Sequence, residues 1–175
     1  LIPDWRSKSM KEVPSTFKAR AEGIAAKPMF RNAFRNRRCI IPISGFYEWT
    51  GQRSERQPHL FTAADGSPVL AVAGLWDQWR DRSTDEEVLS CTMVVCAASE
   101  WMERYHDRMP VILEPSQFDR WLSGEMGAEE LCPAHVDLLR ERIVSRRVNK
   151  AGEGDDAPTL VVPVTSDLLS LTSGN

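Results

Sequence analysis

The sequence RRCIIPISGFYEWT occupies residues 37–50 and carries a single acidic residue, Glu48, in a mostly apolar run. Successive side chains of a β-strand point to opposite faces, so Glu48 shares a face with Phe46 and is flanked in sequence by Tyr47 and Trp49. Aromatic neighbours remove water from a carboxylate and raise its pKa, which suits the group to proton transfer near neutral pH. The alternative is that Glu48 is an ordinary solvated acid on a strand. We predict that this strand organises the fold and carries a catalytic acid or base.

The composition indicates one globular domain over residues 1–175. With 42% hydrophobic residues, the chain closes a core without disulfide bonds. The formal net charge of -3 argues against a broadly basic nucleic-acid-binding surface, but an average conceals local patches. Basic residues cluster ahead of the central strand: Lys18, Arg20, Lys27, Arg31, Arg35, Arg37 and Arg38. One end of the molecule is therefore expected to be positively charged.

The cysteines and histidines do not match the common metal sites. The 4 cysteines form no CxxC pair, and with 3 scattered histidines they do not give zinc spacing. HExxH, GxGxxG and Walker-type motifs are also lacking, so no metal or other cofactor is expected. Cys91 and Cys96 lie an odd number of positions apart, so on one strand they point to opposite faces; both are expected to be core thiols.

The sequence contains no signal peptide and no apolar run long enough to span a membrane. A reducing cytoplasm is therefore the expected location, with no membrane partner.

Short apolar runs separated by polar turns predict an antiparallel sheet. The strands expected after the central one cover residues 59–63, 69–76, 88–98, 111–113, 144–148 and 159–164. The predicted helices, each opened by a proline in its first turn, cover residues 28–36, 115–122 and 133–143. Residues 6–16 are expected to form a loop, residues 150–158 a mobile loop and residues 165–175 a weakly structured tail.

His106 is the histidine best suited to catalysis. It lies at a predicted junction between a helical turn and a strand, where functional side chains are often presented. Its imidazole titrates near neutral pH, and the following Asp107 and Arg108 can orient the ring and bind an anion. His59 falls in a predicted strand and His135 at an exposed helix start, so both are expected to have structural or solvent-facing roles.

Four segments together resemble the SRAP family (SOS-response-associated peptidase, DUF159): LIPDW, FKARAE, RRCIIPISGFYEW and HDRMPVIL, within a match over about residues 1–164. The resemblance implies an α+β fold with a barrel-like, largely antiparallel β-sheet core and peripheral helices. It also implies recognition of abasic sites in single-stranded DNA during the DNA damage response. In this family the cysteine after the initiator methionine is exposed by autoproteolysis. It then condenses with the ring-opened abasic aldehyde into a thiazolidine cross-link.

The resemblance further implies which residues are catalytic. Glu48 and His106 match the family's active-site glutamate and histidine, which transfer protons around the abasic sugar. Lys18 stands near the nucleophile, where the family usually has asparagine, and Gly23 replaces the usual threonine. A lysine can donate a hydrogen bond to a phosphate or sugar oxygen, but unlike an amide it cannot accept one. Because the chain begins at Leu1, residues 1–175 are expected to lack the segment that carries the nucleophilic cysteine.

The expected DNA contacts come from a few basic and aromatic residues. Arg20 matches the arginine of the family's Asn-Ala-Arg motif, which grips a phosphate. Trp5, which lies near basic residues and can stack on a base, Arg108 and Arg38 are the further DNA-binding candidates.

We expect an abasic-site DNA–protein cross-linking enzyme with autopeptidase or lyase-type activity, a monomer that acts on nucleoid DNA. Two alternatives stay open. One is a non-covalent single-stranded DNA binding module that has lost the chemistry, and the other is a cysteine-type peptidase that acts on other proteins. For the second, the sequence shows no recognisable internal motif of cysteine and histidine.

Overall fold

The computed structural model of the protein describes residues 1–5, 18–52, 55–81, 84–150, 152 and 156–164. Eight β-strands and three short α-helices lie within these ranges. In chain order they are β1 (Lys18–Arg20), α1 (Arg31–Asn36), β2 (Arg38–Ile43), β3 (Phe46–Thr50), β4 (Gln57–Ala63), β5 (Leu70–Arg80), β6 (Glu87–Ala97), α2 (Glu100–Glu103), β7 (Arg108–Pro110), α3 (Phe118–Ser123) and β8 (Leu139–Ile143).

The strands form two sheets. The larger has the order β1-β6-β5-β2, and β7 pairs with β6; the smaller has the order β3-β4-β8. All of these pairs are antiparallel except β1 with β6. The predicted α+β class with a largely antiparallel core and peripheral helices is therefore confirmed. Within the described part of the chain the two sheets stay open and do not close into one barrel.

Close packing between β2 and β5 requires a glycine. Gly74 lies opposite Cys39 in this antiparallel pair. A Cβ atom on Gly74 would lie 2.7 Å from Ile41 Cδ1 and 2.9 Å from Cys39 Sγ, which is closer than carbon and sulfur atoms approach. The missing side chain at Gly74 therefore leaves room on β5 for the side chains of Cys39 and Ile41 from β2.

Arg38, the first residue of β2, packs against helices α1 and α3 and so joins them to the larger sheet. Its guanidinium lies 4.1 Å from the Phe34 ring centroid and 4.6 Å from that of Trp121. It donates hydrogen bonds to the carbonyl oxygens of Phe34 and Met126, each at 2.7 Å. The prediction that Arg38 contacts DNA therefore finds no support here, because these donors already bind backbone carbonyls under α1 and α3.

The chain after α3 differs most from the sequence-based expectation. Residues 133–143 form a 3-10 helix, Val136–Leu138, followed by β8, rather than one amphipathic helix. The reason lies in tertiary structure: β8 pairs with residues 59–63 of β4, and this pairing overrides a helix-compatible pattern. The strand predicted at residues 144–148 is also wrong, since Arg146–Asn149 is a 3-10 helix.

Two smaller expectations also differ. The strand expected at residues 111–113 begins earlier, as β7, which ends at Pro110. Within residues 111–113 there is a single bridge, between Ile112 and Val72. The last expected strand is instead the 3-10 helix Pro158–Val161, after which Pro163 forms a single bridge with Val144. The predicted loop at residues 6–16, residues 151 and 153–155 of the predicted loop at 150–158, and the tail at residues 165–175 lie outside the described residues.

The two cysteines of β6 do point to opposite faces. Cys96 is buried in the core as expected, but Cys91 is exposed on the outer face of the sheet. Only one of the two is therefore a core thiol.

The packing of Arg38 predicts that substitutions of Arg38 and of the nearby Arg35 differ greatly in their effect on protein stability. Replacing Arg38 with methionine keeps the aliphatic stem but removes the hydrogen bonds and the ring contacts, so we expect the free energy of unfolding to fall by about 2–4 kcal/mol. The matched control is Arg35→Met on the exposed side of α1, where we expect a change within about 0.5 kcal/mol. Urea denaturation with an unchanged m-value measures both. Equal stability of the two variants would contradict the structural role of Arg38.

Candidate functional site

Glu48 lies on β3, on the face of the smaller sheet that its alternation predicts. On this face Phe46 stacks on Phe61 of β4, with ring centroids 5.0 Å apart. The cross-strand partner of Glu48 is His59, which is buried. The carboxyl group is half-buried beside these rings, so Glu48 is not a fully solvated strand acid.

His59 holds the three strands of the smaller sheet together. Its Nε2 atom is 2.8 Å from Thr50 Oγ1 on β3, and its Nδ1 atom is 2.5 Å from Glu141 Oε1 on β8. Both ring nitrogens are thus used inside the sheet. This geometry agrees with the structural role expected for His59, and it fixes the strand from which Glu48 projects.

Aromatic packing places the segment that carries His106 over the same face. The Trp101 and Tyr105 rings, in α2 and just after it, meet the buried Phe61 ring edge to face, with centroids 5.6 and 5.0 Å apart. Ser99 begins the helix by accepting a hydrogen bond from the Met102 N–H at 3.4 Å. The turn from α2 to β7 therefore lies directly beside β3 and β4.

The surroundings of His106 define its neutral tautomer. The backbone N–H of Arg108 donates to Nδ1 at 2.9 Å, so the neutral ring carries its proton on Nε2. Asp107 Oδ1 lies 3.0 Å from the same Nδ1 atom and forms an ion pair only when the ring is protonated. The side chain is 40% exposed, so the imidazole is open to a ligand as well as to solvent.

Lys18 and Arg20 reach the site from the other sheet. β1 runs parallel to β6, with Ala19 buried and Lys18 and Arg20 on the exposed side. In the described part of the chain, no hydrogen bond or ion pair engages the Arg20 guanidinium. An exposed cation that the described residues leave unpaired is suited to binding a phosphate.

The charges of the neighbouring groups act on Glu48. Burial raises the pKa of Glu48, while the positive charges of His106 and Lys18 lower it and the negative charge of Asp107 raises it further. The three predicted catalytic residues, from β1, β3 and the α2–β7 turn, therefore lie within one electrostatic environment.

The other two DNA-binding candidates, Trp5 and Arg108, differ in how accessible they are to a ligand. Trp5 is 55% exposed and lines a shallow cavity with Pro28 and Arg31. Arg108 NH1 donates to both carboxylate oxygens of Glu22, at 2.6 and 2.7 Å, so its charge is already compensated. Trp5 is therefore accessible for a contact with a base, whereas Arg108 would have to leave Glu22 to bind a phosphate.

Sequence reasoning missed Asp77, which anchors the segment that presents Trp5. Asp77 lies on β5 and is 2% exposed. Its carboxylate forms an ion pair with Arg37 and accepts hydrogen bonds from the N–H groups of Asp4, at 3.2 Å, and Gln78, at 2.8 Å. Burial raises the pKa of Asp77, and these hydrogen bonds and Arg37 oppose that effect. The signal in the sequence was an aspartate within the apolar run LAVAGLWDQW, which required a buried partner.

The described residues contain no group of three or more His, Cys, Asp or Glu side chains arranged to hold a metal ion. None of the helices that the structure describes is long and apolar enough to cross a membrane.

The family model for the SOS response associated peptidase (SRAP) matches residues 1–151. The chain belongs to the SRAP family. YoaM of Bacillus subtilis (strain 168), an abasic site processing protein, is 35% identical over 156 residues, which cover 85% of this chain and 67% of YoaM. YobE of the same organism, with the same description, is 38% identical over 136 residues, covering 75% of this chain and 62% of YobE.

The abasic site processing protein HMCES of Xenopus tropicalis is 30% identical over 151 residues, which cover 74% of this chain and 45% of HMCES. This SRAP chain therefore spans between 45% and 67% of the length of these three relatives. The crystal structure of a protein from Bacteroides thetaiotaomicron has a TM-score of 0.82 at 26% identity and covers 94% of this chain and 74% of its own. A second crystal structure, from Bordetella bronchiseptica, has a TM-score of 0.71 at 32% identity and covers 82% of this chain and 74% of its own.

The electrostatics of Glu48 predict opposite effects of two neighbouring substitutions. Lys18→Met removes a positive charge, so the pKa of Glu48 should rise above its already raised value; Asp107→Asn removes a negative charge, so the pKa should fall. A titration followed by NMR of the Glu48 side-chain carboxyl carbon measures both without requiring catalytic activity.

The same shift has a consequence for stability. Because the pKa of Glu48 is higher in the folded than in the unfolded protein, its contribution is present at low pH and is lost as pH rises through the folded pKa. Glu48→Gln should remove this part of the pH dependence of unfolding. A Glu48 that titrates like a free glutamate, and that neither neighbouring substitution moves, would contradict the electrostatic account.

Proposed function

We propose that this SRAP chain recognises an abasic site in single-stranded DNA, and that the protein links itself covalently to the abasic sugar. The observation that carries the proposal is the convergence of Lys18, Glu48 and His106, from three separate segments, on one partly exposed surface beside the Arg20 cation. The printed names of the relatives, which are abasic site processing proteins, support the same substrate.

The chemistry begins at the aldehyde of the ring-opened sugar. The amine of an N-terminal cysteine adds to C1′, and loss of one water gives an imine. The thiol of the same cysteine then adds to the imine carbon and closes a thiazolidine ring, so one water leaves for each cross-link formed. This nucleophile is the cysteine that removal of the initiator methionine exposes in the family, and it does not lie within residues 1–175.

Glu48 and His106 supply the proton transfers that these steps need. An amine attacks only as the neutral form, and a carboxylate whose pKa is raised towards neutrality can accept the ammonium proton and return one to the departing oxygen. The neutral His106 ring carries its proton on Nε2, so it can donate to an oxygen of the opening sugar. The positive charge of Lys18 lowers the pKa of Glu48 and so opposes the effect of burial, and its ammonium can donate to a sugar or phosphate oxygen.

Binding to a single strand follows from the exposed groups around the site. Arg20 offers a guanidinium for a phosphate, and Trp5 offers a ring on which an unpaired base can stack. Lys27, Arg31 and Arg35 are further exposed cations, whereas Arg37 is bound to Asp77. A DNA contact made through a few exposed cations fits a negatively charged protein, and we propose that it acts on nucleoid DNA in the cytoplasm.

A second candidate, a non-covalent single-stranded DNA module, is favoured by Lys18 itself. The SRAP family usually has asparagine at this position, and lysine cannot replace the acceptor oxygen of the amide. The third reading, a cysteine peptidase that acts on other proteins, has less support. All cysteines and histidines of the chain lie in its described part, and no hydrogen bond joins a thiol to an imidazole there.

If the protein links itself covalently to the abasic sugar, the Glu48→Gln variant should form the cross-link slowly. In the gene product with its N-terminal cysteine, this substitution keeps the shape of the side chain but removes its titration, so we expect cross-linking to an abasic oligonucleotide to slow by about a hundredfold or more. Denaturing gels sampled over time measure the rate, and the melting temperature reports folding.

The matched control is Glu103→Gln on the exposed side of α2, which should cross-link at the wild-type rate. A Glu48→Gln variant as fast as this control at every pH would remove Glu48 from the mechanism. Binding to abasic DNA with no covalent product from the wild-type protein would select the non-covalent module instead.

A further inference from the structure

A groove far from the Glu48 site is a second candidate binding site, and its lining is mostly apolar. It lies at the far end of β4, where Ala63 contributes to its lining. His59, the cross-strand partner of Glu48, lies on the same strand. At about 3.3 Å per residue, roughly 13 Å of strand separates Ala63 from His59. Its volume is about 350 Å³, at the lower end of the range for ligand pockets. Most of its lining is apolar and comes from the start of β5, the segment after β7, α3 and the 3-10 helix before β8: Val69, Leu70, Leu113, Pro115, Phe118 and Leu138.

Part of this apolar lining is open to solvent. Val69 is 50% exposed at one wall, while Leu70 and Leu113 form a buried floor. An exposed aliphatic side chain over a recessed apolar floor gains free energy when a partner covers it, at about 25 cal/mol per Å² of apolar surface.

The rim of the groove is negatively charged. Asp65, Glu114 and Asp137 line it, and in the described part of the chain no lysine or arginine does. Hydrogen bonds from the backbone N–H and the hydroxyl of Ser67, each at 2.9 Å, lower the pKa of Asp65 and keep it ionised. The neighbouring Arg140 is turned to the Ala64 carbonyl at 2.7 Å. This rim repels phosphate, so the groove is not an extension of the DNA surface.

The backbone beside the groove is already paired, which restricts how a partner can bind. Leu70 pairs with Ile43 of β2 on one side. On the other side the Leu113 N–H donates to the Ala71 carbonyl at 2.8 Å. A partner therefore cannot add a strand to this edge of β5 and has to bind through its side chains.

We propose that this acidic groove binds a short protein segment in which a large apolar side chain stands next to lysine or arginine. The apolar side chain covers Val69 and fills the space above Leu70 and Leu113. The adjacent cation lies against the rim carboxylates, so charge complementarity selects the basic segment over an acidic one. The groove and the Glu48 site face different ends of β4, so a partner can bind while DNA occupies the other site.

A phage-displayed library of random 12-residue peptides is the probe. We expect panning on this chain to enrich sequences in which leucine, isoleucine, methionine or phenylalanine adjoins lysine or arginine. An enriched peptide, synthesised with a fluorophore, should bind with an affinity that Val69→Ser and Asp137→Lys each weaken about fivefold or more, measured by fluorescence anisotropy. Both positions are at the surface, so neither substitution should alter the melting temperature.

The matched controls are Leu89→Ser and Glu87→Lys on β6, which change an exposed leucine and an exposed acid away from the groove and should leave the affinity unchanged. Enrichment of acidic or purely polar peptides, or no enrichment over the Val69→Ser protein, would overturn the proposal. So would a concentration-dependent dimer that Val69→Ser abolishes, because the groove would then be an interface between two copies of this chain.

Discussion

The packing around Phe61 is the constraint on which the functional site depends. This ring is fully buried in the middle of β4, where it stacks on Phe46 of β3 and receives the edges of Trp101 and Tyr105. The first contact holds the strand of Glu48, and the others hold the turn of His106. Phe61 has no proposed contact with the substrate, yet the residues it packs against position both Glu48 and His106, the two proposed proton-transfer groups. Aromatic pairs of this geometry add about 0.5–1.5 kcal/mol each beyond area burial.

The same packing creates the electrostatic balance of the site. Partial burial against aromatic rings raises the pKa of Glu48, but complete neutralisation would leave no base, and the positive charges of Lys18 and His106 work against it. Lys18 comes from the other sheet, through the parallel pairing of β1 with β6. Lys18 therefore adds a positive charge close enough to Glu48 to lower the pKa of this acid.

Local patterns were enough to predict the parts of the fold and site that depend on neighbouring residues in sequence. The alternation in GFYEW correctly predicted the face of Glu48, and the HDRMP segment correctly predicted a junction between a helical turn and a strand. Residues 139–143 could not be predicted from their pattern, because their strand form depends on the free edge of β4. The surroundings of Arg38 could not be predicted for a related reason: its carbonyl and ring partners come from α1, α3 and Met126 and meet only in the folded chain. That Arg38 contacts DNA stays a prediction.

The measurement that tests the central claim most directly is a comparison of NMR shift maps for this chain. One titration uses a single-stranded oligonucleotide with a tetrahydrofuran abasic analogue, and the other uses the same oligonucleotide with a base at that position. Phosphate contacts are common to both, so Arg20 should shift in each. If Lys18, Glu48 and His106 recognise the abasic sugar, the difference between the two maps should be largest at these three residues. Identical maps, or a difference centred on another surface, would contradict the claim.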